Sequence, residues 1–218
     1  GRRNPPIERR QGTPVRPYSR LRGPGPRDWF YLYVILDIFS RKIVGWCIDT
    51  EETETVAKRL ITITCERENI EADQLTLHSD RGAQMTSTTI AELLEDLSVT
   101  RSLSRPRVSD DNPYSEAAFK TVKYRPSYPD WFDSIDDARV WMRKFVGWYN
   151  TEHYHSGIGY LHPNDLHNGT ANKTIDARQQ VLDAAYQAHP ERFLGGPPTA
   201  DRPPAAAWIN KPTIQTKS

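Results

Sequence analysis

The stretch that decides the fold is FYLYVILDIFSRKIVGWCID, residues 30–49. Residues 30–40 form a nearly continuous run of aromatic and β-branched side chains, which predicts a buried strand. Residues 41–49 form a second apolar run, and only residues 40–42 offer turn material between the two. Two strands joined this tightly predict an antiparallel hairpin.

Helical and strand patterns alternate after the hairpin. Apolar periodicity predicts helices over residues 51–68, 87–97, 134–151 and about 173–190, a further helix beginning near Pro113, and strands over residues 74–80 and 99–104. In the first helix we expect Val56, Leu60 and Ile63 to face the core, and Asp49 with Glu52 to form a capping box. The order predicts an α/β fold in which the hairpin leads into parallel crossovers.

The two ends of the chain differ in composition from its centre. Residues 1–27 hold eight arginines, six prolines and a single acid, so they carry a charge of +7 while the other 191 residues carry −6. This composition predicts an irregular N-terminal segment. We expect residues 28–168 to form the folded core and residues 169–218 a C-terminal helix followed by a proline-rich tail.

Charge and hydropathy exclude some classes of protein. The sequence has no run of 18 apolar residues and no secretory-signal pattern, so we expect neither a membrane span nor secretion. Cys47 and Cys65 lie among apolar neighbours, which predicts buried free thiols in a reducing compartment. We therefore expect a cytoplasmic protein.

Two carboxylates stand out by position. Asp80 ends a predicted strand, and in α/β sheets the side chains at the carboxyl ends of strands line the functional crevice. Glu116 lies on the helix that follows the next strand. Two such oxygen ligands would suit Mg²⁺ or Mn²⁺. From the residues alone, the more ordinary interpretation is favoured: Asp80 caps a turn, and Glu116 forms a solvated pair with Lys120, four residues on, or Lys123, seven residues on.

Thirty-five residues lie between Asp80 and Glu116, within the motifs LHSDRGAQMTS and SRPRVSDDNPYSEAAFKTVK. With YLYVILDIFSRKIVGW before them and WYNTEHYHSGIGYLHP after them, these motifs resemble, in order, those of the integrase catalytic core. This DDE family includes retroviral integrases and bacterial insertion-sequence transposases. The resemblance covers roughly residues 19 to 168.

The resemblance implies an RNase H-like fold with a mixed five-stranded sheet and flanking helices. It also implies phosphoryl transfer at DNA ends, with Asp80 and Glu116 as ligands of two divalent ions roughly 4 Å apart. Lys120 and Lys123 would contact DNA phosphates. The implied partners are transposon ends, target DNA and further copies of the chain assembled on DNA, in the bacterial cytoplasm.

Basic residues cluster around the Glu116 helix. Residues 100–125 carry a net charge of +3, and Arg105, Arg107 and Arg125 accompany the two lysines there. A groove for DNA phosphates is the functional interpretation, and a solvated charged face is the alternative.

The chain departs from the family at the first acid. That aspartate belongs on the first strand at about position 17, where this chain has Pro17, which cannot bind a metal. Asp37 does not replace it, because its expected role is to cap the 39–42 turn. We hypothesise a reading-frame shift or a degenerate 5′ end before Ser19, and translation of the upstream DNA in the other two frames tests the frame shift. Three functions stay open: a transposase core impaired by the missing acid, a non-catalytic DNA-binding or oligomerising remnant, and another RNase H-like nuclease.

Overall fold

The computed structural model describes residues 13–79, 85–104 and 113–209, with side chains from residue 19 onward. Its strands are β1 (Thr13–Arg22), β2 (Trp29–Leu36), β3 (Ile43–Asp49), β4 (Thr76–Ser79) and β5 (Thr100–Leu103). Its described α-helices are α1 (Glu54–Arg67), α2 (Thr88–Asp96), α3 (Pro113–Lys123), α4 (Ile135–Thr151), α5 (Pro163–His167) and α6 (Ala171–Ala188). None of these helices is long and apolar enough to cross a membrane.

The five strands form one mixed sheet in the order β3-β2-β1-β4-β5. Strand β2 is antiparallel to both β1 and β3, whereas β1, β4 and β5 run parallel. The predicted hairpin, the parallel crossovers and the mixed five-stranded sheet are therefore confirmed. Strand β1 is the central strand, hydrogen-bonded on both sides.

The structure of residues 13–22 differs from the sequence-based expectation. The prediction of irregular structure over residues 1–27 is wrong for residues 13–22, which form β1. Composition does not predict this strand because its backbone partners come from two neighbouring strands. Such tertiary pairing overrides the weak local preference of an arginine- and proline-rich segment for irregular structure. Residues 1–12 lie outside the described residues.

Helix α1 covers one face of the sheet. Val56 and Leu60 are buried as predicted, but Ile63 is 51% exposed and Ile61 faces the core instead. The buried stripe follows residues 56, 57, 60, 61 and 64, so two of the three predicted positions are confirmed and Ile63 lies outside the stripe. The predicted capping box is also wrong: the Thr53 hydroxyl, directly before the helix, accepts a hydrogen bond from the Val56 amide.

The two cysteines are free thiols. Cys65 is buried and Cys47 is half-buried, so the prediction of two buried thiols holds fully for Cys65 alone. Burial raises the pKa of Cys47 to about 12, which leaves very little reactive thiolate at neutral pH.

The described residues fall into two compact units. The first takes the described parts of Gly1–Phe39, Ile43–Val146 and Ala206–Ser218, and it contains the sheet. The second takes Ser40–Lys42 and Gly147–Ala205, with a small core of its own around Ile158, Leu161, Ala171 and Ile175. The predicted domain boundaries at 27/28 and 168/169 stay predictions.

His155 in the second unit is held in its neutral form. Its Nδ1 atom is buried without a hydrogen-bond partner among the described residues. Burial, the Arg41 guanidinium and His153 lower the pKa of His155 from its usual 6.5 to about 4. The guanidinium belongs to a buried arginine with a left-handed backbone, at φ 66°.

Acid is expected to destabilise the protein through this ring. Between pH 6.5 and about 4 the unfolded chain binds a proton at His155 that the folded chain does not, so the free energy of unfolding falls as the pH falls through that window. The loss is on the order of 1–2 kcal/mol, reduced from the full shift because the ring is partly solvent-exposed. Urea unfolding at pH 7.5, 5.5 and 4 measures it, and a His155→Gln chain should lose less stability over the same range. An unchanged pH slope in that variant would refute the role of His155.

Candidate active site

A hydrogen-bonded cluster fixes the carboxyl end of β4. His78 is 2% exposed; its Nδ1 lies 3.0 Å from Ser102 Oγ and its Nε2 lies 3.2 Å from Ser104 Oγ. The Ser104 amide and hydroxyl both donate to the Ser79 carbonyl, at 2.9 and 3.3 Å. The alternating serines of β5 are visible in the sequence, but only the strand register shows that they face His78. Strands β4 and β5 are thus tied together where the chain reaches Asp80, which lies outside the described residues.

Strand β1 runs beside this end of β4. Val15 pairs with Ser79 in parallel register, so the next residues of β1 continue past the point where β4 ends. Position 17 is therefore two residues beyond that pair, at the edge where the family resemblance expects the first acid.

The backbone of β1 is irregular at this place. Arg16 pairs with Val34 and Ser19 with Leu32, so three steps along β1 match two along β2. This is a one-residue bulge, a feature often found next to active sites, and it contains Pro17. A bulge tolerates proline because it does not require the missing amide as a ladder donor.

Helix α3, which carries Glu116, packs against the strand that holds the bulge. The helix begins at Pro113, as predicted, carries Glu116 in its first turn and packs against β1. Glu116 is half-buried, while Phe119 and Val122 anchor the helix through its buried face. A carboxylate in the first turn of a helix is favoured by the helix dipole.

The chain's C-terminal tail also reaches α3. The Tyr114 hydroxyl donates to the Trp208 carbonyl at 3.1 Å, and Ala207 is buried. The tail thus holds the first turn of α3, and the helix as a whole packs against β1.

Lys120 and Lys123 are exposed on α3. Among the residues that the structure describes, neither lysine is ion-paired, so the alternative of a Glu116–Lys120 or Glu116–Lys123 salt bridge is not observed. Both ammonium groups are therefore accessible to an anionic ligand.

The other predicted DNA-binding residues are only partly described. Arg125 is half-buried just beyond α3, and its carbonyl accepts a hydrogen bond from the Tyr128 amide at 2.8 Å. Arg105 and Arg107 lie outside the described residues, so the structure does not test the predicted basic cluster as a whole.

Asp37 has the structural role expected of it. It is 3% exposed, and its Oδ1 accepts a hydrogen bond from the Phe39 amide at 3.1 Å, at the start of the turn between β2 and β3. The prediction that Asp37 caps this turn is confirmed.

The donor set for a metal ion is incomplete within the described ranges, where no three His, Cys, Asp or Glu side chains group together as a metal site. Glu116 contributes one carboxylate, and position 17 of β1 contributes none. With Asp80 the set would have two carboxylates, hard oxygen ligands that suit one divalent ion but not the bridged pair that the resemblance implies.

Known protein families and sequences match the chain across this site. Two family models, both described as integrase core domain, match residues 17–109 and 97–163. The transposase for insertion sequence element IS904 of Lactococcus lactis is 31% identical over 144 residues, which are 66% of this chain and 56% of that protein. A putative transposase for IS986/IS6110 of Mycobacterium tuberculosis is 26% identical over 173 residues, 76% of this chain and 56% of that protein. The chain thus spans about half the length of these relatives.

Solved structures match the fold. The catalytic core domain of BIV integrase superposes with a TM-score of 0.50 at 17% identity, covering 74% of this chain and 97% of that one. A chain of the simian T-cell lymphotropic virus intasome, solved with a PP2A regulatory subunit, gives a TM-score of 0.50 at 14% identity, covering 70% of this chain and 52% of that one. The chain therefore belongs to the integrase core family, has bacterial insertion-sequence transposases among its relatives, and adopts the RNase H-like fold.

Proposed function

We propose that the chain is the catalytic core of an insertion-sequence transposase, which cleaves and joins DNA strands by metal-dependent phosphoryl transfer. Its substrates would be transposon ends and target DNA, and copies of the chain would assemble on that DNA. One observation carries the proposal: β4, whose carboxyl end leads to Asp80, pairs with β1, and the helix that carries Glu116 packs against the same strand.

Each candidate residue has a distinct part in this proposal. Asp80 and Glu116 would hold Mg²⁺ or Mn²⁺, an ion that supplies positive charge to the transferring phosphoryl group when it is bound. The exposed Lys120 and Lys123 would hold DNA phosphates beside Glu116, with Arg105, Arg107 and Arg125 extending the contact. Because water or a DNA hydroxyl is the nucleophile in such chemistry, no side chain has to form a covalent intermediate.

Pro17 supports a second candidate function. A first strand that lacks the metal-binding aspartate is consistent with a remnant that binds DNA or assembles with other copies but does not cleave DNA. Groups in a catalytic unit act together, so loss of one can lower the rate by roughly 10⁴-fold.

Cleavage and binding of an end-labelled duplex distinguish the two candidates. A transposase core should cleave the duplex slowly in Mg²⁺ or Mn²⁺, and Asp80→Asn should abolish cleavage while leaving the dissociation constant for DNA in metal-free buffer within about twofold. Binding without any metal-dependent cleavage, even at high enzyme concentration, would favour the remnant. Cleavage that survives Asp80→Asn would contradict the assigned site.

A further inference from the structure

The outer end of the β1–β2 hairpin carries an ordered block of arginines and aromatic rings. Arg20 pairs with Tyr31 across the two strands, and Arg22 pairs with Trp29. Cross-strand partners share a face of the sheet, and so do residues two apart along a strand. These four side chains therefore form one surface, which we call the hairpin patch.

The arginines of the hairpin patch are available to an anion. Arg20 and Arg22 are exposed, and neither is ion-paired within the described part of the chain. The Arg20 guanidinium lies 5.9 Å from the centre of the Tyr31 ring, a cation–π contact that orients it without neutralising it. Arg27 in the adjoining turn adds a third exposed, unpaired guanidinium.

Acidic neighbours offset this charge only in part. Asp49, the β3 partner of Tyr31, is paired with Arg59 at 3.4 Å. Asp28 accepts a hydrogen bond from the Gly25 amide at 3.0 Å, and Asp133 accepts one from Trp131 Nε1 at 3.2 Å. Both of these acids line the cavity beside the patch, so we expect the anion to contact the Arg20 and Arg22 side of it.

The aromatic part of the patch is accessible as well. Trp29 is 39% exposed, and it borders an open cavity of about 480 Å³ that Pro24 and Tyr31 also line. A flat ring beside unpaired guanidinium groups suits a sugar–phosphate backbone, which presents apolar sugars between charged phosphates.

The turn between the strands is rigid. The Gly23 amide donates to the Asp28 carbonyl at 2.8 Å, and the Asp28 amide donates to the Gly25 carbonyl at 3.1 Å. A Cβ at Gly25 would lie 2.5 Å from Asp28 Oδ2, so a larger residue there would displace the carboxylate that accepts a hydrogen bond from the Gly25 amide. The hairpin patch is thus preorganised, which lowers the entropic cost of binding.

The hairpin patch lies farther along β1 than the candidate active site. Val15 lies beside the carboxyl end of β4, and Arg20 and Arg22 follow it by five and seven residues in the same strand. At about 3.3 Å per residue these side chains lie roughly 17–23 Å beyond that end. Because each base pair of DNA advances about 3.4 Å, this distance corresponds to about five to seven base pairs.

We propose that the hairpin patch binds the duplex DNA flanking the reacting phosphate, about five to seven base pairs away from it. Arg20 and Arg22 contact phosphates, and Trp29 packs against the sugars between them. This inference rests on the proposed function, because the distance is counted from the site assigned to Asp80 and Glu116. The patch lengthens the bound DNA segment beyond the contacts of Lys120 and Lys123.

The test measures binding of the full chain to a labelled 20-base-pair duplex over a range of salt concentrations. Arg20→Ala combined with Arg22→Ala should weaken binding roughly 10-fold or more, and should reduce the slope of log affinity against log salt by about 2. Arg67→Ala, which removes one exposed arginine, paired with Glu68, at the far end of α1, is a control away from the patch and should change neither quantity. Thermal melts check that all variants are folded.

A photocrosslinker at the patch tests direct contact. The low reactivity of Cys47 and Cys65 favours selective attachment to an Arg22→Cys chain. The label should crosslink to the duplex, whereas the same label on Arg67→Cys should not. An unchanged salt slope in the double variant, or weakened binding without any crosslink, would overturn the proposal.

Failure of this inference can be distinguished from failure of the proposed function. If Lys120→Ala weakens DNA binding but the double hairpin variant does not, only the hairpin patch is refuted. If the unmodified chain binds no duplex at any salt concentration, the DNA function fails and the hairpin patch fails with it.

Discussion

Replacing Pro17 by aspartate is expected to raise metal-dependent nicking of supercoiled plasmid DNA by roughly 10²-fold or more. Position 17 follows the Val15–Ser79 pair by two residues, so a carboxylate there would be added beside the end of β4 that leads to Asp80. Plasmid nicking in Mg²⁺ or Mn²⁺ suits the test because it requires no knowledge of the transposon-end sequence.

A matched control separates the effect of the added carboxylate from the effect of the restored backbone amide. Both Pro17→Asp and Pro17→Asn restore an amide to β1, but only the first adds a metal-binding charge. We expect Pro17→Asn to nick DNA at the rate of the unmodified chain. Equal gains from both substitutions would mean that relief of the bulge, not a third carboxylate, raises the rate.

Glu116→Gln in the Pro17→Asp chain should abolish the whole gain. Glutamine keeps the size and helix propensity of the half-buried Glu116 but removes the charge that a divalent ion requires. The expected loss in the nicking rate is again roughly 10²-fold or more, with an unchanged melting temperature. Lys120→Gln is the control on the same helix: it should weaken DNA binding and leave the rate at saturating DNA nearly unchanged. A Glu116→Gln chain that keeps the gain would remove Glu116 from the site.

Local sequence patterns predicted the regular parts of the fold. The apolar runs of β2 and β3 and the proline at the start of α3 give strong local signals, and all three elements appear where predicted. The start of α1 differs from the prediction: Thr53 caps the helix in place of Asp49 with Glu52. Boundaries of this kind depend on a single hydrogen bond, which periodicity does not detect.

Strand β1 and the hairpin patch were beyond the reach of local patterns. Only Arg20, Leu21 and Arg22 in TPVRPYSRLR clearly alternate polar with apolar side chains, which is too short a pattern to predict a strand, and the strand structure comes from pairing with β2 and β4. Arg20 and Trp29 are ordinary residues in the sequence, and only the register brings them onto one surface. The bulge between Arg16 and Ser19 coincides with the junction at which we hypothesised a reading-frame shift.

The family was predictable because four ordered motifs carry the resemblance together with one spacing. The 35 residues between Asp80 and Glu116 pointed to the integrase core, and the family match confirms that assignment. The metal-ligand roles of the two acids stay predictions, and so do the DNA contacts of Lys120 and Lys123.

Binding of Mn²⁺, followed by calorimetry in the absence of DNA, tests the central claim most directly: that Asp80, Glu116 and position 17 share one metal site. The account predicts weak binding to the unmodified chain, at least 10-fold tighter binding to Pro17→Asp, and no tightening in Pro17→Asn or in Pro17→Asp combined with Glu116→Gln. Equal Mn²⁺ affinity in all four chains would contradict it.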